Sequence, residues 1–239
     1  MNTIKFRKKQ ARVVAHRGLS GIEKENTTSA FVAAGNHSYF AIETDIHRTI
    51  DGHFVINHDP NFMRVAGVNL VIEESTLEQI QNIVLYDMDG TKNRNDLRPC
   101  VLENYLAICK RYDKNCVLEL KSDFTQEEIL KIIDIARSFE YLDRIMFISF
   151  NYDNLLKIRS VLPSHPAAYL FWEITDEILD QLERDKIDVD VYHNGLTKEQ
   201  IDNAHSRGLS VNCWTVNERA EGSRLAKWGI DYITTNILE

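Results

Sequence analysis

Eight short apolar runs, spaced by segments of helical periodicity, constrain this chain more than any other feature. They are RVVAH (12–16), FAIETDI (40–46), NCVLELK (115–121), RIMFISF (144–150), AAYLF (167–171), IDVDVYH (187–193), LSVNCWTV (209–216) and DYITTN (231–236). Each has the length and the β-branched or aromatic content of a buried strand. Between them lie amphipathic runs such as QEEILKIIDIARSFEY, NYDNLLKIRSVL, TDEILDQLERD and TKEQIDNAHSRG. Strands alternating with helices form parallel pairs joined by right-handed crossovers, and eight such units close into a (β/α)8 TIM barrel. An open doubly wound sheet is the alternative, but no glycine-rich dinucleotide loop follows any strand. Residues 1–239 are therefore expected to form a single α/β barrel domain.

Local punctuation agrees with this division. Thr125 with Glu128, and Thr197 with Gln200, read as capping boxes, while Gly208 and Gly229 read as helix stops. The alternation breaks only between the second and third runs. There Asp51-Gly52 signals a hairpin turn, STLEQIQ (75–81) a short helix, and VLENYLAICKRY (101–112) the helix that re-enters the barrel. Residues 47–98 are read as a hairpin and insertion over the C-terminal face of the barrel, where catalytic groups collect.

The net charge of −8 excludes a generally basic nucleic-acid footprint. No stretch approaches the roughly 18 apolar residues of a membrane span, and the basic start MNTIKFRKKQAR is followed by no signal-peptide apolar run. Cys100, Cys109, Cys116 and Cys213 show neither CxxC nor zinc spacing and read as reduced, buried small hydrophobes, which suits a cytoplasmic protein. Nothing in the sequence fixes an oligomeric state.

The chemistry gathers between Val13 and Asp59. His16 and Arg17 close the first strand, His58 ends a third extended run, and Glu43 and Asp45 share one face of the second strand because side chains alternate along it. Two adjacent carboxylates repel unless a proton or a divalent metal lies between them. Further along, VLELK sets Glu119 and Lys121 on one face, and both charges need partners inside an apolar strand.

In order, the chain displays His16-Arg17-Gly18, Lys24-Glu25-Asn26-Thr27, Glu43-Thr44-Asp45, and Asp51-Gly52 followed by Val55 and His58-Asp59. These motifs resemble those of the glycerophosphodiester phosphodiesterase family, whose pattern is H-R-G, P-E-N-T, E-x-D and D-G-x-x-V-x-x-H-D; Lys24 replaces its usual proline. SVNCWTVN (210–217), and more weakly Ser149-Phe150 and DYITTN (231–236), extend the likeness to nearly all of Val13 to Asn236. The resemblance implies Glu43, Asp45 and Glu119 as ligands of a divalent metal. Three carboxylates without cysteine or grouped histidine suit Mg2+ or Ca2+ better than zinc. It also implies Arg17 and Lys121 as phosphate-binding groups and His16 and His58 as an acid/base pair of open assignment. Trp214 would pack on the glycerol or the leaving alcohol.

The implied reaction is metal-dependent hydrolysis of a small glycerophosphodiester, such as glycerophosphocholine or glycerophosphoethanolamine, to sn-glycerol 3-phosphate and an alcohol. A cyclic phosphate made by attack of the neighbouring glycerol hydroxyl is part of that implication. A lysophospholipase D-like or other phosphodiester substrate, and a non-catalytic phosphate-binding barrel, are the alternatives. Taken singly, E-x-D on a strand is as readily a salt-bridged pair, and a strand-end histidine a structural one; the joint set carries the reading. His37, His47, His53, His165 and His205 are read as surface residues. His193, at the catalytic end of the sixth strand, is left open between a substrate contact and a structural residue, the latter favoured; Phe150, Phe171 and Trp172 are read as pocket lining or core.

Overall fold

Each of the eight apolar runs forms a parallel strand, and each amphipathic run between them forms a helix. The computed structural model describes residues 2–239. The chain opens with β1 (Arg12–Ala15), α1 (Thr28–Gly35) and β2 (Ala41–Arg48). Smaller pieces follow: β3 (Phe54–Ile56), β4 (Asn61–Phe62), the one-turn α2 (Met63–Ala66), β5 (Val68–Val71), α3 (Leu77–Gln81) and β6 (Cys100–Val101). Regular alternation resumes with α4 (Leu102–Arg111), β7 (Asn115–Leu120), α5 (Gln126–Ser138), β8 (Ile145–Ser149) and α6 (Tyr152–Val161). It continues through β9 (Ala167–Phe171), α7 (Asp176–Asp185), β10 (Asp188–Tyr192), α8 (Lys198–Ser206), β11 (Val211–Trp214), α9 (Arg219–Trp228) and β12 (Tyr232–Thr235).

Strands β1, β2 and β7 to β12 pair in parallel, and β1 closes the ring by pairing with both β12 and β2. The result is the (β/α)8 TIM barrel. Its interior is plugged by Val14, Ala41, Val117, Ile148, Ala168 and Leu170, so the barrel has a packed floor. Residues of opposite parity, such as Val13, Ile42, Leu118, Phe147, Val189 and Val211, pack outward beneath the helices. Thr125 and Thr197 make the expected capping boxes, and Gly229 ends α9 at φ +92°.

The segment after β2 begins as the expected hairpin. Gly52 turns the chain at φ +81°, and β3 returns antiparallel to β2 with His47 opposite Val55. Beyond it Phe62, Val65, Ile72, Ile80, Leu85 and Leu97 form a small buried core of their own. All four cysteines are buried and free. Among the described residues, no helix is long and apolar enough to cross a membrane.

Two surface expectations are corrected. His47 is only 5% exposed, because it shares the strand parity of Glu43 and Asp45; its Nε2 donates to the His58 carbonyl at 3.3 Å. His165 is half-buried, its ring 5.4 Å from that of Phe147.

Gly18 is the tightest point of the β1–α1 connection. It sits at φ +77°, and a Cβ there would lie 2.7 Å from the backbone carbon of Ala30. Gly18→Ala is expected to cost more than about 1 kcal/mol. Urea unfolding of the two proteins measures the difference, and equal midpoints would refute it.

Candidate active site

The β1–α1 loop folds back over β2 and is fixed by the carboxylates it covers. Arg17 adopts φ +55° and Asn26 φ +57°, a conformation uncommon outside glycine and typical of functional loops. The turn at Arg17 aims its backbone N–H at Glu43 Oε2, 2.8 Å away. Asn26 closes the loop: its N–H donates to the Arg17 carbonyl at 2.9 Å. Its Nδ2 donates to Asp45 Oδ2 at 2.8 Å, while its Oδ1 accepts from Thr44 Oγ1 at 2.8 Å.

Glu43, Asp45 and Glu119 are all buried, and one oxygen of each lies within 4.8 Å of the others. The barrel register produces this, since Asp45 and Glu119 are direct partners on β2 and β7. Lys121 Nζ lies 2.9 Å from Glu119 and 3.8 Å from Asp45; Arg17 Nε lies 3.6 Å from Asp45. Burial would raise Asp45, but Arg17, Lys121 and His58 hold it well below the usual carboxylate range. Burial, then the charge of Asp45, pushes Glu119 up to about 8, and burial with both neighbouring carboxylates raises Glu43 strongly. Two cationic side chains thus do not neutralise three acids, and hard oxygen donors at this spacing fit a divalent ion such as Mg2+ or Ca2+. Arg17 Nε is buried without a hydrogen-bond acceptor, as expected of a fork that awaits an anion.

The two histidines differ in their partners. His16 Nδ1 lies 2.7 Å from Asn236 Oδ1, which also accepts from Ser20 Oγ at 3.0 Å. An amide oxygen carries no proton and can only accept, which requires Nδ1–H on His16 and leaves Nε2 with a free lone pair. Burial, then Arg17, pushes His16 down to about 4. His58 Nδ1 instead lies 2.7 Å from the Asp59 carboxylate. Burial lowers His58 too, with Arg17 and Lys121 adding to it, while Asp45 and Asp59 favour its protonated form.

Sequence reasoning assigns no role to the residues that hold this array. Arg64, from α2 in the segment after β2, donates through Nε to Asp59 at 2.6 Å and through its two terminal nitrogens to Glu25 at 2.8 Å. Glu25 in turn accepts from Arg17 at 2.9 Å. A ladder of alternating charge therefore runs from His58 through Asp59, Arg64 and Glu25 to Arg17. Glu25, Asp59 and Asn236 were visible inside motifs; Arg64 carried no such signal.

These groups border a cavity of about 100 Å³, lined on one side by His16, Arg17, Glu43, His58 and Glu119. Ile148, Leu170, Asp190 and Thr234 line its depth, and Phe150, Trp214 and Thr215 its outer wall. Trp214 thus faces the mouth. Trp172 is 63% exposed, 5.0 Å from Trp214 by ring centroids, and extends the aromatic rim outward with Phe150. Phe171 is core, and His193 lies outside the cavity, 3.6 Å from Glu221.

Residues 16–239 match the Glycerophosphoryl diester phosphodiesterase family. A glycerophosphodiester phosphodiesterase of Caldanaerobacter subterraneus is 25% identical over 94% of this chain and 93% of its own. A lysophospholipase D of Rattus norvegicus is 27% identical over 96% of this chain and 85% of its own. Among solved structures, an Oleispira antarctica phosphodiesterase in complex with the product sn-glycerol-3-phosphate superposes with a TM-score of 0.88 at 22% identity. That match covers 95% of this chain and 93% of the other and shows the shared fold.

The ladder sets a pH dependence. Burial opposes ionisation of Glu25, but Arg64 and Arg17 outweigh it and pull the acid from 4.5 to about 2. A depressed carboxyl adds stability that is complete above its unfolded pKa and is lost as pH falls through the folded one. Arg64→Leu should therefore lose stability against the native protein at pH 7, and the gap should narrow at pH 3. Urea midpoints at both pH values measure it; an equal gap would contradict the ladder.

Proposed function

The chain belongs to the glycerophosphoryl diester phosphodiesterase family, and from that premise we propose a two-histidine, divalent-metal hydrolysis of glycerophosphodiesters to sn-glycerol 3-phosphate and an alcohol. The observation that carries this reading is the buried trio Glu43, Asp45 and Glu119, flanked by Arg17 and Lys121 and faced by two histidines of unlike partners. Glu43, Asp45 and Glu119 would hold the ion, which when bound supplies Lewis-acid polarisation of a phosphate oxygen.

Arg17 presents its fork, and Lys121 a point charge, to the phosphoryl oxygens, where negative charge builds in the transition state. His16, kept neutral by burial and by Arg17 and hydrogen-bonded through Nδ1, is the base: its Nε2 takes the proton of the glycerol 2-hydroxyl as that oxygen bonds to phosphorus. His58, whose Asp59 partner supports the imidazolium, is the acid: it gives a proton to the departing alcohol as the old P–O bond breaks. Water then opens the cyclic phosphate with the two roles exchanged. The Lys24 departure from the family's proline removes no group from this scheme.

The exposed aromatic rim and the rat relative's name favour a second substrate class, lysophospholipids, whose acyl chain would lie along Phe150 and Trp172. Turnover of lysophosphatidylcholine against glycerophosphocholine separates the two. A soluble small-molecule substrate is favoured by the narrow cavity.

Glycerol 3-phosphate release from glycerophosphocholine and glycerophosphoethanolamine should vanish in EDTA and return with Mg2+ or Ca2+. Glu43→Ala, Asp45→Ala and Glu119→Ala should lose ion binding by titration calorimetry. His16→Ala and His58→Ala should keep it while turnover falls by about 10²–10⁴-fold. With p-nitrophenol as leaving group, which departs without protonation, the His58→Ala loss should shrink and the His16→Ala loss persist. Near-normal turnover by His58→Ala on glycerophosphocholine would defeat the scheme.

A further inference from the structure

Asp190 lies in the catalytic cavity, yet the scheme above gives it no task. It projects inward from β10, is 1% exposed, and lines the cavity beside Leu170 and Thr234, across from Glu43 and Glu119. Its Oδ1 accepts from Asn212 Nδ2 at 2.8 Å, and Asn212 is itself tied to Thr234 Oγ1 at 3.1 Å. Its Oδ2 is buried with no hydrogen-bond partner, and among the described residues Asp190 makes no ion pair. A buried polar atom without a partner forgoes its hydration with nothing in return, a penalty that a structural carboxyl would have been expected to relieve. The open oxygen therefore points to a ligand group.

The chemistry of that group follows from the surroundings. Burial pushes the Asp190 carboxyl up to about 8, with only the Asn212 bond opposing, so near neutrality it is mostly an uncharged acid able to donate or accept. Such a group suits a hydroxyl, and it repels no phosphate held at the other end of the cavity by Arg17 and Lys121. Ile148 and Leu170 line the space between with apolar carbon. A glycerol unit whose phosphate lies on Arg17 and whose 2-hydroxyl faces the acids has one hydroxyl left, on the terminal carbon.

We propose that Asp190 is a substrate-binding residue that hydrogen-bonds the unreacting primary hydroxyl of the glycerol moiety, held in register by Asn212 and Thr234, and thereby selects glycerol diesters. The proposal rests on the phosphodiesterase reading of the same site. It requires that deleting the hydroxyl and deleting the carboxyl have overlapping effects, as for any two groups in contact.

The test compares glycerophosphocholine with its deoxy analogue, 2-hydroxypropyl phosphocholine, which keeps the attacking hydroxyl and lacks only the terminal one. The native enzyme should favour glycerophosphocholine in kcat/KM by on the order of 10–100-fold. Asp190→Leu should lose about that factor on glycerophosphocholine and little on the analogue. Asp190→Asn, an uncharged isostere, should retain most of the preference. Thermal melting and Mg2+ or Ca2+ binding by calorimetry confirm that each variant is folded and keeps its ion site. Equal losses on both substrates, or no native preference between them, would overturn the proposal. Native enzyme that turns over neither diester would overturn the activity on which it rests, and that result is read before any variant is made.

Discussion

Three carboxylates buried side by side at the end of two adjacent strands are the constraint to which the rest of the active face answers. The parallel register places Asp45 against Glu119, so their backbone positions stay adjacent for as long as the barrel is intact. With one oxygen of each of the three acids within 4.8 Å of the others, the ionised forms would repel by about 3–4 kcal/mol a pair at the dielectric effective near protein sites. The chain meets this with cations and donors aimed at the same oxygens. Arg17 gives both its backbone N–H and its guanidinium, Lys121 its ammonium, and Asn26 its amide. The left-handed backbone at Arg17 and Asn26 is the local cost of that aim, held in place by Gly18 packed against Ala30.

A second layer gives the two histidines different characters. An amide oxygen on His16 fixes a tautomer without adding negative charge, so burial and Arg17 keep the ring neutral. A carboxylate on His58 fixes the same nitrogen but favours the cation. That carboxylate is held by Arg64, which belongs to the segment between β2 and α4 and also holds Glu25 against Arg17. The segment is thus more than a cover. Its own small core, built on Phe62, Val65 and Ile80, positions one arginine that braces both ends of the site.

The barrel and the acid cluster were legible because both rest on strand periodicity. Alternation sorted Glu43 with Asp45 and Glu119 with Lys121, and the same parity would have placed His47 inward, where the structure has it. Asp190 was legible by the rule applied to Glu119, since it too is a charge on an inward position of an otherwise apolar strand, shared there with Asp188, but it stands in no recognised motif. Arg64, Asn26 and Asn236 act from loops or a single helical turn, where spacing predicts no direction. Their roles depend on loop paths set by tertiary contacts, such as the Asn26 amide wedged between Thr44 and Asp45.

The barrel interior is consequently unequal around its circumference. On β2 and β7 it is anionic and compensated by cations; on β10, β11 and β12 it is polar and without a cation, through Asn212, Thr234 and Asp190, whose carboxyl is pushed up by burial. Ile148 and Leu170 separate the two sides. A purely structural interior would have continued the apolar floor of Val14, Ala41 and Ala168 upward, with no desolvation penalty to offset. Retaining an incompletely bonded carboxyl at that depth makes sense only if something polar completes it. The anionic side could hold a divalent cation, and if a phosphate is bound beside it as proposed, a hydroxyl-bearing group joined to that phosphate is the piece whose chemistry fits the other side.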